Sequence, residues 1–343
     1  MLFRPPGESE CAAVTQPGVV EYLTPRGPGW RTSQPYALLY VPDQDLLVAS
    51  FKTAGNLILP YWNDDASNRL VLIDGVFGPE RHITILPSDH GTMPEVMAYN
   101  QESRELFVAR ISLDGNYIDR VDVTSPRRPT VRGSILIQPA EISRIFLHPD
   151  HRRLLVTTNN PNNLLTLDAH SLEILDEFKG TSDDMVIWAD MAPTSSKIYI
   201  LEVGTSFLEV DADTHEVRTV EVGFGPGMLA LDTAAGTAYI GKSLFHRSVY
   251  IVDTKSMVLR SVWRLGYAPR PMVIDHDRDL LIVGDWFGGQ VRLYRLSTRE
   301  PLEPPIPVGP YLRSLAYDPG HQVVFAAGKC GVTAVHIGNW LRQ

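Results

Sequence analysis

Residues 248–284 read SVYIVDTKSMVLRSVWRLGYAPRPMVIDHDRDLLIVG, and residues 163–203 read NLLTLDAHSLEILDEFKGTSDDMVIWADMAPTSSKIYILEV. Both strings have the same order. An apolar run ends on Asp, a polar turn and a second run follow, and a loop leads to a hairpin of two further runs. Internal repetition of this kind decides the fold before any single motif does. The hairpin half recurs seven times, as LLYVPDQDLLVAS (38–50), VMAYNQESRELFVAR (96–110), IFLHPDHRRLLVTT (145–158), ADMAPTSSKIYILE (189–202), LALDTAAGTAYIGK (229–242), MVIDHDRDLLIVGD (272–285) and LAYDPGHQVVFAAG (315–328). Short Val/Ile/Tyr-rich runs around Asp/Pro/Gly/Asn turns are β-hairpins.

A third run follows most hairpins, as in YIDRVDV, NLLTLDA, SFLEVDA, SVYIVDT and QVRLYRL, and a fourth in EILDEF, EVRTVEV and VLRSVWRL. The second strands end at Ser50, Arg110, Thr158, Glu202, Lys242, Asp285 and Gly328, at spacings of 60, 48, 44, 40, 43 and 43 residues. Four strands in a period of the low forties are the signature of a β-propeller blade. The expectation is an all-β, seven-bladed propeller of four-stranded antiparallel blades that uses the whole chain as one domain. The last unit lacks a fourth strand, and PGVVEYL (17–23) is a spare one. The N-terminal strand is therefore expected to complete the last blade and remove its exposed edge. The first blade is the longest and carries an insertion around 52–70.

Composition fits this reading. The chain of 343 residues is 44% hydrophobic and 21% charged, and turn-forming Gly and Pro are plentiful at 26 each. A net charge of −9 without a basic block argues against nucleic acid or an anionic membrane as partner. No apolar run reaches the roughly 18 residues of a membrane span, and MLFRPPGESECAAVTQPG has no signal-peptide core. The compartment stays open: cytoplasmic if the chain is complete as given, extracytoplasmic if a leader was removed. Two cysteines, Cys11 and Cys330, are too few for a disulfide framework or a cysteine zinc site. Residue order sets Cys11 at the foot of the closing strand and Cys330 in a loop of the opposite face, so the two are expected not to meet.

The stretch VYIVDTKSMVLRSVWRLGYAPRPMVIDHDRDLLIVGD resembles the repeat of YVTN-type propellers, which are also similar to lactonase-type propellers, and LLVTTNNPNNLLTLDAHSLEIL (154–175) resembles another copy. The resemblance covers roughly 140–330. It implies a seven-bladed ring and little about activity, because such rings host binding, scaffolding and enzymatic roles.

Several motifs read as structure. DHDRD (275–279) occupies the same hairpin turn as HPDHRR and DPGHQ, so it is a turn before it is a calcium loop. GFGPG (223–227) precedes a strand, whereas a phosphate loop opens a helix. Asp168, Asp211 and Asp253 cap their own turns. Trp188, Trp263 and Trp340 are expected to pack between blades.

One set points to function. In a propeller the loops joining strands two and three, and those joining consecutive blades, share the face at the mouth of the central channel. Arg110, Glu202, Lys242 and Asp285 end second strands there; Glu95, Ser143 with Arg144, Arg270 and Arg313 lead into first strands. Nearby loops add His90, Asp183, Asp184, His246, Trp286, Phe287 and Lys329, and the insertion adds Tyr61 and Trp62. These charges either neutralise one another in a hydrated channel or form a polar pocket. The leading expectation is a non-catalytic, monomeric binding module whose ligand site, Arg110, Lys242, Arg270, Asp285, Arg313 and Trp286, takes a protein partner or a small polar or anionic ligand. Arginine forks suit carboxylate or phosphate. The alternative is a lactonase-like hydrolase or lyase, with Glu95, Glu202 or His246 as general base. No metal or cofactor is expected.

Overall fold

Each of the seven hairpins forms the first two strands of a four-stranded antiparallel sheet in the computed structural model, and the seven sheets form a ring. The structure describes residues 11, 17–24, 33–53, 68–87, 93–112, 115–180, 184–225, 227–242 and 246–342. Blades one to six span 33–87, 93–137, 141–179, 186–221, 227–264 and 269–307. The seventh is built from Ser314–Asp318, Val323–Gly328 and Gly331–His336, with Val20–Tyr22 as its outer strand. That closing strand pairs Val20 with Val335 and Tyr22 with Thr333. First strands of consecutive blades touch in chain order, and the seventh touches the first. Residues 54–67 of the insertion, with Tyr61 and Trp62, lie outside the described residues, as do His90 and Asp183.

Seven apolar clusters hold the ring, one at each blade–blade interface. Leu280, Ile282 and Val291 of the sixth blade meet Val324, Ala326 and Val335 of the seventh, and Leu47, Ala49 and Phe51 of the first meet Phe325 and Val332 of the seventh. A neighbour covers each face of a blade, so second strands are apolar on both sides. Leu280–Asp285 and Val323–Gly328 are buried at every position. Outer strands have one free face and alternate, as Val258–Arg264 does. The capping role of the acidic residues is seen directly: Asp168 Oδ1 accepts from the amides of His170 and Ser171, and Asp211 and Asp253 act likewise.

The cysteines correct one expectation. Cys11 and Cys330 form a disulfide, with Cα atoms 5.5 Å apart at a sequence separation of 319. Cys11 does not sit at the foot of the closing strand. Its carbonyl accepts a hydrogen bond from the Tyr22 hydroxyl (2.5 Å) near the strand's upper end. Nine residue steps reach about 30 Å, longer than the strand itself, so order along the chain did not fix the height of Cys11.

Candidate functional site

The first strands line the central channel, and five of them are irregular near their upper ends. The ladder between first and second strand shifts register at Pro35/Ala37, Pro94/Met97, Ile142/Arg144, Val186/Trp188 and Pro269/Met272. An extra residue re-aims its neighbours. The residues so placed include Tyr36, Arg144, Trp188 and Arg270, all lining an upper chamber of about 350 Å³ together with Arg313. Gly284 is required opposite the bulge at Arg270: a Cβ there would lie 2.8 Å from Pro271 Cδ and 3.0 Å from the Arg270 carbonyl oxygen.

Three guanidinium groups from different blades thus share one chamber. Aromatic rings carry each of them. The Arg144 guanidinium carbon lies 3.6 Å from the Trp188 ring centre, and that of Arg270 lies 4.5 Å from Trp286. Arg313 is 5.9 Å from Tyr36 and 6.0 Å from Trp286. Such contacts hold a cation by its face and leave its N–H edge for a ligand. Arg144 Nη1 donates to the Ser143 carbonyl (2.7 Å); burial lowers its pKa, against the opposing effects of Tyr36, Glu95 and Asp190. Arg270 and Arg313 form no ion pair with a carboxylate of the described residues. Arg270 Nε is buried and has no hydrogen-bond partner among the described residues. Burial, then repulsion from Arg313, lowers the Arg270 pKa to about 10.

Asp190 lines this chamber and also a lower one of about 580 Å³, whose wall includes Asp275, His276, Asp277 and Tyr317. Burial pushes its pKa up to about 6, against the opposing effects of the Met191 amide and Arg144.

The ends of the second strands have a different fate. They lie one strand further from the axis, about 4.8 Å, where side chains are held between blades. Arg110 pairs with buried Asp119. Lys242 is 1% exposed, donates to the Gly225 carbonyl (2.8 Å), and is depressed by burial to about 8. Asp285 accepts from the Gly288 amide (3.0 Å), and Glu202 from the Asp184 amide (3.3 Å). Asn159 exchanges two hydrogen bonds with the backbone of Val186, stapling the third blade to the fourth. His246 is exposed and meets Tyr250 edge-on at 5.9 Å. Of the ligand candidates, Arg270, Arg313 and Trp286 come together; Arg110, Lys242 and Asp285 bind loops and strands. Of the acid–base candidates, Glu95 acts on Arg144, while Glu202 and His246 stand apart from the chamber.

Three chamber residues escaped the sequence reading. Tyr36 follows a proline in an irregular strand. Trp188 was expected to pack between blades; it touches the cluster between blades four and five and also supports Arg144 in the chamber. Asp190 had a readable signal. Aligned on the ladder, its equivalents are Tyr40, Ala98, Phe146, Ala230, Val273 and Ala316, so Asp190 is the single acid at that position.

Among the described residues no group of three or more His, Cys, Asp or Glu is placed to hold a metal ion, and no helix is long and apolar enough to cross a membrane. No family model matches the chain. A stretch of 117 residues is 26% identical to Antigen Lp49 of Leptospira interrogans serogroup Icterohaemorrhagiae serovar copenhageni; the match covers 30% of this chain and 26% of that protein.

Proposed function

We propose that the protein is a non-catalytic propeller that binds a small anionic ligand at the channel mouth. The supporting observation is the Arg270–Arg313 pair: two neighbouring guanidinium groups in a chamber of about 350 Å³, without a carboxylate partner among the described residues. Paired cations in a confined, partly dehydrated space repel each other, by roughly 4 kcal/mol at 4 Å and an effective dielectric of 20. One anion relieves that repulsion and gains charge-assisted hydrogen bonds from both forks. Glu202 and His246 do not line the chamber.

The test is a thermal-shift screen with phosphate, sulfate and mono- and dicarboxylates against the wild-type chain and an Arg270→Ala/Arg313→Ala variant. A ligand that binds the native state raises Tm by mass action. The reading requires a rise with at least one anion class that disappears in the variant. An equal rise in both proteins, or none in either, refutes it.

A second reading, a protein partner on the same face, is favoured by exposed apolar side chains in the upper loops: Met185, Phe224 and Phe287 are each about half exposed. It requires that Phe224→Ser and Phe287→Ser abolish capture of that partner while anion shifts persist.

A further inference from the structure

The channel is electrically polar along its axis. Arg144, Arg270 and Arg313 line the upper chamber. The lower chamber is lined by Asp190, Asp275 and Asp277, with His276 the one basic side chain on its described wall. His276 is already bonded to Asp232 (2.9 Å), and Asp275 accepts from Arg278 (2.9 Å) and Tyr317 (2.6 Å). Asp190 differs from these. It belongs to both chambers; its Oδ1 accepts from the Met191 amide (2.9 Å), and its Oδ2 accepts no hydrogen bond from the described residues. That oxygen faces the channel, and the side chain is only partly exposed. Five of the other six blades fill the equivalent position with an apolar residue and the remaining one with Tyr40. The fold therefore does not need an acid there, and the second oxygen is open to a donor on a ligand in the channel.

Strand geometry gives the offset of the two backbone levels along the channel. Trp188, at the level of the arginines, pairs with Leu201, and Asp190 pairs with Tyr199, two residues deeper. Two residues of strand rise about 7 Å. On the anion-binding reading above, we infer that the ligand is a zwitterion of dipeptide length, with its carboxylate between Arg270 and Arg313 and its ammonium on Asp190. Its dipole then lies along the channel, negative end towards the arginines and positive end towards the acidic chamber. An α-amino acid is too short to reach both ends. Arg144 has less to give the ligand's carboxylate, because its Nη1 already donates to the Ser143 carbonyl (2.7 Å).

Isothermal titration tests this with 5-aminopentanoate, 6-aminohexanoate and glycylglycine, each beside its counterpart without the amine: pentanoate, hexanoate and N-acetylglycine. The proteins are wild type, Asp190→Asn and Arg270→Met, checked for the native circular dichroism spectrum. Wild type binds the zwitterions at least about tenfold more tightly than the amine-free acids, which corresponds to one good charged hydrogen bond. Asp190→Asn removes that advantage and leaves the binding of simple anions in place. Arg270→Met loses both. Glycylglycine against the ω-amino acids separates a peptide from a simple amino acid as the source of the two charges. Equal affinity for the members of each pair in wild type, with simple anions still bound through Arg270, overturns the zwitterion and leaves the anion site standing. Absence of binding by every probe and by simple anions alike overturns both.

Discussion

Reduction of the Cys11–Cys330 bond should cost the protein more than its position at the chain end suggests. The closing strand Val20–Tyr22 contributes only three residues to the seventh blade, so the ring is joined by a short ladder and one covalent link. The link spans 319 residues. In the chain-entropy treatment a loop of this length removes about 19 cal/mol/K from the unfolded chain, or about 6 kcal/mol at 25 °C. Measured disulfides reach about 5 kcal/mol at most, so that is the working upper figure. Unfolding entropy of about 2.1 cal/mol/K per residue gives a chain of this size about 0.7 kcal/mol/K, and 5 kcal/mol then moves Tm by roughly 7 °C. The assay is thermal unfolding of the oxidised protein with and without reductant, beside Cys11→Ser/Cys330→Ser, with the bond verified by mass spectrometry and thiol titration. Material produced in an oxidising compartment should show no free thiol, since such bonds persist there and are lost in a reducing cytosol. A shift below about 1 °C, with the bond verified as formed, would assign closure to the strand ladder alone.

Four further outcomes follow from the buried charges. Arg270→Met removes a desolvated, repelled cation, so stability should hold or rise by about 1–2 kcal/mol in denaturant titration, the lost contact with Trp286 offsetting part of the gain. Asp190→Asn should stabilise at neutral pH. The folded pKa of about 6 lies above the unfolded value, so the native state holds the proton more tightly and wild-type stability falls as pH rises from about 4 to 6; the variant lacks that slope, which amounts to roughly 3 kcal/mol. Lys242→Met should lack a slope at the other end. The depressed folded pKa, about 8, makes the unfolded chain hold more protons between about pH 8 and 10.5, so wild-type stability rises there relative to the variant by about 3 kcal/mol. Arg110→Met strands Asp119, which is 3% exposed and keeps the Ser134 hydroxyl as partner. It should lose about 3 kcal/mol, Asp119→Leu added to it should restore most of that, and anion binding should not change.

The blades were legible because each second strand is packed on both faces and reads as an unbroken apolar run between turn residues, a pattern that survives seven repetitions of changing sequence. The closing strand was legible because the seventh unit stops one strand short. The disulfide was not: order along the chain gives no height for a segment that precedes its strand. At the mouth, the first-strand arginines were found by alignment, and three of them share the chamber. The second-strand charges aligned equally well, yet Lys242, Glu202 and Asp285 serve backbone groups of neighbouring loops. Repeat alignment fixes which loop a residue occupies. It cannot see the one-residue bulges that turn Tyr36 and Arg270 towards the axis, because a bulge is a property of the ladder and not of either strand alone. Asp190 was readable, as the one acid among its equivalents, once the first strands were compared position by position.

The claim on which the account rests is that Arg270 and Arg313 together form an anion site. Selenate has a strong anomalous signal and the shape of a tetrahedral oxyanion, so the direct measurement is an anomalous difference map from crystals grown with a few millimolar selenate. The expected result is a peak in the upper chamber within hydrogen-bonding distance of Arg270 and Arg313, absent from Arg270→Met crystals. Selenate bound to surface arginines and lysines, with the chamber empty of anomalous density, would contradict it.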